Sequence, residues 1–536
     1  MALDADKMKE NPIFSDDGDP LSTKPPFGGA EAKPLNSEKT NLTPQDLHFI
    51  ADTVHSAIGI YPPDAPWHDP KETWPGVLKS RKEPIIWANR AIHEHFVETN
   101  GENSEIAQIT GILSELTPEI TQIAILQFEQ GFTGSKSWRE VDPEASAELS
   151  KKIKSILADN GKSKLFAENP TVKAGLEFIN DVLIPSNDPV LINKAYSEYT
   201  RLCIDANATG KPIIYIPFES DFTKPVLSES ERTQICEAMV SVVMPMEKTE
   251  RDSFDRLTTA TWELLRQRGT PHQINTRINM IVGYNVMESG FGAFDSTVGM
   301  AFVLKSKGSH EHGFYLAINN LAKKSKFWQA STELLNTHVS SDHQTFSNIL
   351  TLLYAAHEQS HRLYPEQGTF GEVPADIPAV ILALKIAMAP ELIGNEYTFQ
   401  PEEVVAGILT EYVSEIINSV SRDDLFEGHS SNTGNELFDG YLLSAVVIMN
   451  AMVESGIVRA NEFGKIDVDL SPDKLAKLFE DLEMIDGEFH KKNQRVLDKI
   501  RLAVANPEAI KIIELYRDNV DSVTPVVTAS LQKMVK

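Results

Sequence analysis

The sequence predicts an α+β protein of two lobes, one of mixed structure and one mostly helical. The chain has 536 residues, more than a single hydrophobic core usually serves. Three segments near its middle are rich in β-branched and aromatic residues, namely 211–217, 278–284 and 297–304. After about residue 331 the pattern is almost entirely helical. We therefore expect a mixed lobe with a β-barrel or sheet over residues 42–330 and a mostly helical lobe over 331–536.

The first 41 residues differ in composition from the rest of the chain. Residues 1–41 are dense in Asp, Lys, Pro, Gly and Ser and contain few large apolar side chains. Such a segment cannot bury enough surface to offset the entropy lost on ordering, so we expect a disordered tail. The helical pattern begins at Thr43, which can cap a helix whose first position is Pro44. Periodic segments over 104–131 and 142–161 predict further helices.

Charge and cysteine content exclude several classes of protein. With 77 acidic residues against 50 Lys and Arg, the formal net charge is −27, and no basic patch offsets it. We therefore expect no binding to nucleic acid or to a membrane surface. Cys203 and Cys236 form no CxxC pair, which argues against a disulfide framework and a thiolate zinc site. There is no signal-peptide pattern and no run of 18 apolar residues, so we expect a cytoplasmic protein.

The strongest local motif is HExxH, which runs from His357 through Glu358 to His361. The apolar residues before it recur at helical spacing and place both imidazoles on the buried side of a helix; they are Phe346, Ile349, Leu350 and Leu353. Two histidines one turn apart can bind one zinc ion, and Glu358 then lies where it can deprotonate a bound water. The structural alternative is a pair of hydrogen-bonded core histidines. The helical context and the buried stripe lead us to favour the metal.

A zinc site of this pattern needs a third protein ligand. No histidine follows at the metzincin spacing. The next helix opens with Glu372 and Asp376, whose spacing puts them on one face. We predict that Glu372 completes the metal shell and that Asp376 accepts a hydrogen bond from a ligand imidazole. Simple complementarity with the helix dipole is the alternative for both acids, and Pro378 suggests a kink or a later start. The helix over 401–418 offers rival third ligands: Glu402, Glu403 and Glu411.

These residues resemble the zinc segment of the dipeptidyl peptidase III family. HEQSHRLYP, from His357, and EVPADIPAVILAL, from Glu372, are similar to the family's HExxH or HExxxH helix and its ExxA(D/E) helix. The likeness is greatest to bacterial members and to the related domain of Nudix-fused proteins, although no Nudix motif occurs here. Segments 283–292 and 445–456 carry weaker similarity. The resemblance implies a bound Zn²⁺, a helical metal lobe above a lobe with a β-barrel, and a peptide-binding cleft between them.

The chain departs from the family pattern around the expected transition state. Where the resemblance implies an assisting tyrosine, the sequence has Met287, with Tyr284 nearby. Where it implies a stabilising histidine on a late helix, the sequence has Tyr441. Only ten residues separate His361 from Glu372, a short connection for the family. The resemblance thus implies a conserved metal and general base, with Tyr441 or Tyr284 donating to the developing oxyanion.

Two functional hypotheses follow. The first is a zinc-dependent peptidase that hydrolyses peptides and releases N-terminal dipeptides, in which Glu358 acts as the general base. An acidic cleft would favour the ammonium group of a peptide N-terminus. The alternative is a catalytically weak or inactive zinc-containing descendant that binds a peptide or another ligand in the same cleft.

The remaining histidines are weaker candidates. We expect His310 and His312 to lie in a loop without a metal, because glycines flank them. We expect His338 and His343 at the surface, on either side of a turn.

Overall fold

The described residues before position 209 form helices joined by short turns. The computed structural model describes residues 42–58, 74–130, 136–216, 238–266, 279–290, 299–306, 309–319, 324–341, 343–361, 372–393, 399–419, 436–491 and 506–522. The first helices are α1 (Pro44–Ile58), α2 (Trp74–Asn100), α3 (Glu105–Glu129), α4 (Trp138–Val141), α5 (Pro143–Ala158), α6 (Ser163–Glu168), α7 (Pro170–Phe178) and α8 (Pro189–Ala208). A 3₁₀ turn at Asn160–Lys162 and a π turn at Ile179–Leu183 join neighbouring helices.

Local capping explains where two of these helices begin. The hydroxyl of Thr43 accepts a hydrogen bond from the backbone N–H of Asp46, whose carboxylate in turn accepts one from the Thr43 N–H. This reciprocal pair satisfies two free donors and confirms the predicted cap at Thr43. At α5, the Asp142 carboxylate accepts from the N–H groups of Glu144 and Ala145, with Pro143 at the first helical position.

A five-stranded sheet occupies the middle of the chain. Its strands are β1 (Ile213–Tyr215), β2 (Met239–Pro245), β3 (Asn279–Gly290), β4 (Gly299–Ser306) and β5 (Ser309–Ala317), in the spatial order β1-β2-β3-β5-β4. The β3–β5 pair is parallel and the other pairs are antiparallel. Among the described strands β1 and β4 are the two edges, so the structure has an open sheet, not a closed barrel.

The other described elements are helices, apart from one small hairpin. Helix α9 (Lys248–Arg266) lies between β2 and β3 in the chain. The later helices are α10 (Ser325–Leu334), α11 (His343–Ser360), α12 (Val373–Met388), α13 (Pro401–Ser419), α14 (Glu436–Glu454), α15 (Pro472–His490) and α16 (Pro507–Ser522), with a 3₁₀ turn at Pro390–Ile393. Strands β6 (Val458–Ala460) and β7 (Ile466–Val468) form the hairpin.

Two hydrophobic cores lie on opposite sides of the sheet. One face of the sheet contributes Ile281 and Tyr315 to the core of α1–α8. The other face contributes Val282 and Phe314 to the core of the later helices. Because neighbouring residues of a strand point to opposite faces, a single strand serves both cores. The architecture is therefore α+β with two lobes, as predicted.

The second core also includes residues from before the predicted boundary at 330. Helix α9 contributes Phe254 and Leu257 to it, although α9 lies well upstream. The division of the chain into two lobes at residue 330 stays a prediction. The second core contains buried side chains from both sides of that position. The predicted tail over 1–41 lies outside the described residues.

The described helices include no membrane span, since none combines sufficient length with sufficient hydropathy to cross a bilayer.

Cys203 is a buried free thiol, and burial raises its pKa to about 12. A thiol that stays protonated and inaccessible is inert as a nucleophile. Cys236 lies outside the described residues.

Candidate metal centre

Helix α11 carries the HExxH motif as the apolar periodicity predicts. Phe346, Ile349 and Leu350 on its inner face are buried, and His357 continues that face. The helix proper ends at Ser360, but the N–H of His361 still bonds to the carbonyl of His357 at 3.3 Å. The imidazole of His361 is therefore held one helical turn after that of His357.

Helix α12 brings a glutamate to the same place. It begins directly after Glu372, whose carbonyl accepts from the N–H groups of Ala375 and Asp376. The Glu372 side chain makes no capping hydrogen bond to its own helix and lies beside the two histidines. Val373–Met388 is one continuous helix that includes Pro378, so the expected later start is wrong, and a kink at Pro378 stays a prediction.

Three donor atoms converge between these helices. Nε2 of His357 lies 3.0 Å from Nε2 of His361 and 3.2 Å from Oε2 of Glu372, and the third separation is 3.7 Å. Zinc bonds to nitrogen or oxygen are about 2.0–2.2 Å long, so a tetrahedral site has edges of about 3.3–3.6 Å. The circle through the three atoms has a radius of about 1.9 Å, so a position close to their plane lies at bonding distance from all of them.

The donor set fits a divalent cation better than a hydrogen-bonded pair of histidines. A separation of 3.0 Å would also suit a hydrogen bond between the imidazoles. That arrangement, however, leaves Oε2 of Glu372 buried without a hydrogen-bond donor, which is costly for a carboxylate. Within the described ranges, His357, His361 and Glu372 are the one group of side chains arranged so that they could hold a metal ion.

Asp376 supports the first imidazole from behind. Nδ1 of His357 donates to Oδ1 of Asp376 at 2.7 Å, which leaves Nε2 as the ring atom that faces Glu372 and could bind a metal. The Asp376 carboxylate also accepts from the hydroxyls of Tyr412, at 3.0 Å, and Ser444. The sequence reasoning named Asp376 but missed Tyr412 and Ser444, which carry no local signal.

The electrostatics of the two imidazoles differ. Burial alone lowers the pKa of His357, but the carboxylates of Asp376 and Glu372 outweigh it, and the pKa lies well above its ordinary value. Burial lowers the pKa of His361 to about 4, which keeps that ring neutral and its lone pair available. A neutral imidazole is the form that binds a metal, so a metal bound at this site would displace the second proton of the His357 ring.

Glu358 is buried next to the three donors. Its side chain is 5 % exposed, and burial raises its pKa to about 8. The carboxylate lies against Gly299, the first residue of β4, so closely that a Cβ at that position would overlap it. A carboxylate whose pKa lies close to neutral pH is suited to accept a proton from water.

The two tyrosines considered for the oxyanion have different surroundings. Tyr284 lies on β3, and its hydroxyl donates to the carboxylate of Glu250 at 3.1 Å. Tyr441 lies on α14, one turn before Ser444, and so on the same face as the hydroxyl that contacts Asp376. Met287 is buried in the core of the first lobe.

The rival ligands on α13 are engaged elsewhere. Glu403 accepts from the N–H groups of Ser340 and Gln400, close to the start of the helix. Glu411 accepts from Lys324 Nζ and, at 3.0 Å, from the Tyr354 hydroxyl. Glu402 lies in the first turn of α13 and is not part of the cluster.

The other histidines have mixed outcomes. His338 is exposed, as predicted. The predicted loop at His310 and His312 is wrong: both belong to β5, where pairing with β4 extends the strand back to Ser309. His343 is the first residue of α11.

Comparison with known proteins gives backbone similarity to solved structures. The chain is similar to dipeptidyl peptidase III from Caldithrix abyssi, with 12% identity and a TM-score of 0.49, over 92% of this chain and 97% of that one. Dipeptidyl-peptidase III from Corallococcus sp. strain EGB gives 12% identity and a TM-score of 0.49, over 94% and 96% of the two chains. No protein-family model and no curated protein sequence matches the chain.

Proposed function

We propose that the protein is a zinc-dependent peptidase that hydrolyses peptides and releases N-terminal dipeptides. The observation that carries the proposal is the triangle of donor atoms from His357, His361 and Glu372, with sides of 3.0, 3.2 and 3.7 Å. Three protein ligands around zinc leave a fourth position for water or substrate, which is typical of catalytic sites and not of structural ones. The dipeptide preference comes from the sequence resemblance alone.

The three ligands and Glu358 have separate tasks. A zinc ion held by His357, His361 and Glu372 would lower the pKa of its water and polarise a peptide carbonyl. Glu358 takes a proton from the attacking water and delivers it to the leaving amine. Burial supports this role, because it raises the pKa of Glu358 to about 8 and excludes competing water.

An oxyanion donor is also needed, and Tyr441 is the better of the two candidates. It shares a face of α14 with Ser444, which reaches Asp376 behind the first imidazole. Tyr284 lies on β3 of the sheet, and its hydroxyl is directed at Glu250 on α9, whereas α14 carries a direct contact to Asp376. We therefore assign the role of oxyanion donor to Tyr441 and keep Tyr284 as the alternative.

A cytoplasmic location stays a prediction from the sequence.

The methionine at position 287 favours a second candidate function. Met287 packs in the core of the first lobe and has no hydroxyl, so it cannot supply the one that the resemblance implies at this position. The second candidate is a catalytically weak or inactive zinc-containing protein that binds peptides.

The test combines metal analysis with one isosteric substitution. We expect the purified protein to contain one zinc ion per chain and to release dipeptides from a panel of dipeptidyl arylamides. Glu358→Gln should retain the zinc and lose at least about 10³-fold in turnover, within the range of general base catalysis. Glu403→Gln is the matched control, because that buried glutamate caps α13 and should leave turnover unchanged.

The outcomes separate the candidates. Absence of zinc from the protein, even after zinc is supplied, would refute the metal site. Stoichiometric zinc without hydrolysis that depends on Glu358 would replace the peptidase with the peptide-binding protein.

A further inference from the structure

The carboxylate of Asp376 accepts hydrogen bonds from three side chains, which belong to three other helices. We propose that Tyr412 and Ser444 are positioning residues that set the metal affinity of the site by holding Asp376 in the orientation that aligns His357. The inference rests on the metal site of the proposed function. It concerns affinity, which can be measured without any substrate.

The contacts around Asp376 leave its carboxylate little freedom. Oδ1 accepts from Nδ1 of His357 at 2.7 Å and from the Tyr412 hydroxyl at 3.0 Å, while Oδ2 accepts from the Ser444 hydroxyl. All four side chains are buried, and Ser444 has no exposed surface. The groups come from α11, α12, α13 and α14, so a rotation of the carboxylate would break contacts with several helices.

The orientation of this carboxylate decides where the first imidazole points. A histidine ligand binds well only when its lone pair is directed at the metal, and the hydrogen bond on the far nitrogen sets the plane of the ring. Without Tyr412 or Ser444, Asp376 could turn about its side-chain torsions towards the remaining donor. Loss of such outer contacts typically lowers metal affinity by about 10–100-fold.

Tyr354 provides a matched control within the same region. It is a partly buried phenol on α11, one turn before His357, and its hydroxyl donates over the same 3.0 Å distance. Its acceptor is Glu411, not Asp376. Removing this hydroxyl therefore costs a hydrogen bond of the same length in the same region but leaves the carboxylate of Asp376 with all its contacts.

The experiment measures the zinc affinity of chelator-treated full-length protein by competition with a chromophoric chelator. We expect Tyr412→Phe and Ser444→Ala each to weaken binding by about tenfold, and the double variant by more. Asp376→Asn should lose at least as much as either. Tyr354→Phe should stay within about twofold of the wild type. The visible spectrum of the Co²⁺-substituted protein should change with Tyr412→Phe and Ser444→Ala but not with Tyr354→Phe.

Each result bears on the inference. Wild-type protein that binds no zinc would overturn the proposed function and this inference together. Wild-type binding with unchanged affinity and Co²⁺ spectra in both Tyr412→Phe and Ser444→Ala would overturn the inference alone. Equal weakening by Tyr354→Phe would also overturn it, because it would indicate general loosening of the core. If Tyr412→Phe fails to fold, the smaller Ser444→Ala change decides.

Discussion

Gly299 brings the sheet against the side chain of Glu358 on the metal-binding helix. A Cβ built on Gly299 would overlap Oε1 of Glu358. Because Glu358 is buried, its carboxylate has little room to move aside. A glycine at the start of β4 thus allows the proposed general base to occupy its position.

We predict that Gly299→Ala displaces Glu358 and lowers peptide hydrolysis by at least about tenfold, equivalent to about 1.4 kcal/mol in the barrier. Zinc content should be unchanged, since the three atoms nearest to the added methyl group all belong to Glu358 and none to a metal ligand. Gly487→Ala is the control, because nothing lies within 4 Å of its added methyl group. Steady-state kinetics with zinc analysis checks this, and full activity in Gly299→Ala would contradict it.

At the scale of elements, a buried ion pair joins α10 to α13. Lys324 precedes α10 and is almost fully buried; its Nζ donates to Glu411 and, at 2.7 Å, to Glu415. Burial alone lowers the pKa of Lys324, but the two carboxylates raise it above its ordinary value. This pair fixes the segment of α13 in which the neighbouring residue, Tyr412, contacts Asp376.

We expect Lys324→Met to destabilise the fold by about 3–5 kcal/mol, because it leaves Glu411 buried without its partner. Glu411→Gln in the same chain should recover part of the loss, since the amide removes the charge and still accepts from Tyr354. Lys385→Met is the control, as its ion pair with Glu483 is substantially exposed and should contribute at most about 1 kcal/mol. Urea unfolding measures all three, and a change below 1 kcal/mol for Lys324→Met would be inconsistent with the ion-pair interpretation.

Periodicity revealed some elements and not others. Helices α11 and α12 were predicted because apolar residues recur at helical spacing or run continuously between turn signals. Strand β2 was not, because nearly every residue of Met239–Pro245 is buried. A strand covered on both faces loses the alternation that distinguishes it from a buried helix. The start of β5, at His310 and His312, was predicted as a loop, and its pairing with β4 places it in the sheet.

At the scale of the whole molecule, the sheet belongs to both lobes and the metal site to one. The ligands all come from α11 and the start of α12, inside the second core. A ligand that binds only the folded state stabilises it, by about 4 kcal/mol when its free concentration is 1,000 times its Kd. Metal binding should therefore be visible in the thermal stability of the whole chain.

We predict that chelation with EDTA lowers the midpoint of thermal unfolding by on the order of 4 °C, given the size of the chain. Re-addition of zinc should restore the midpoint. His361→Ala should respond to neither treatment, while His338→Ala, an exposed histidine outside the cluster, should respond like the wild type. Differential scanning calorimetry provides the measurement, and equal responses in His361→Ala and the wild type would place the metal elsewhere.

The sequence by itself determined the α+β class and the helix that carries His357 and His361, and it offered Glu372 and Asp376 as candidate companions beside rival acids on α13. These features depend on neighbours three to four residues apart or on a short connection, so they are legible in a linear pattern. Only the tertiary structure decided that the sheet stays open, that α9 joins the second core, and that Tyr412 and Ser444 hold Asp376. Those partners lie 36 and 68 residues from Asp376 along the chain. Side-chain packing between helices brings them together, and no local periodicity encodes such contacts.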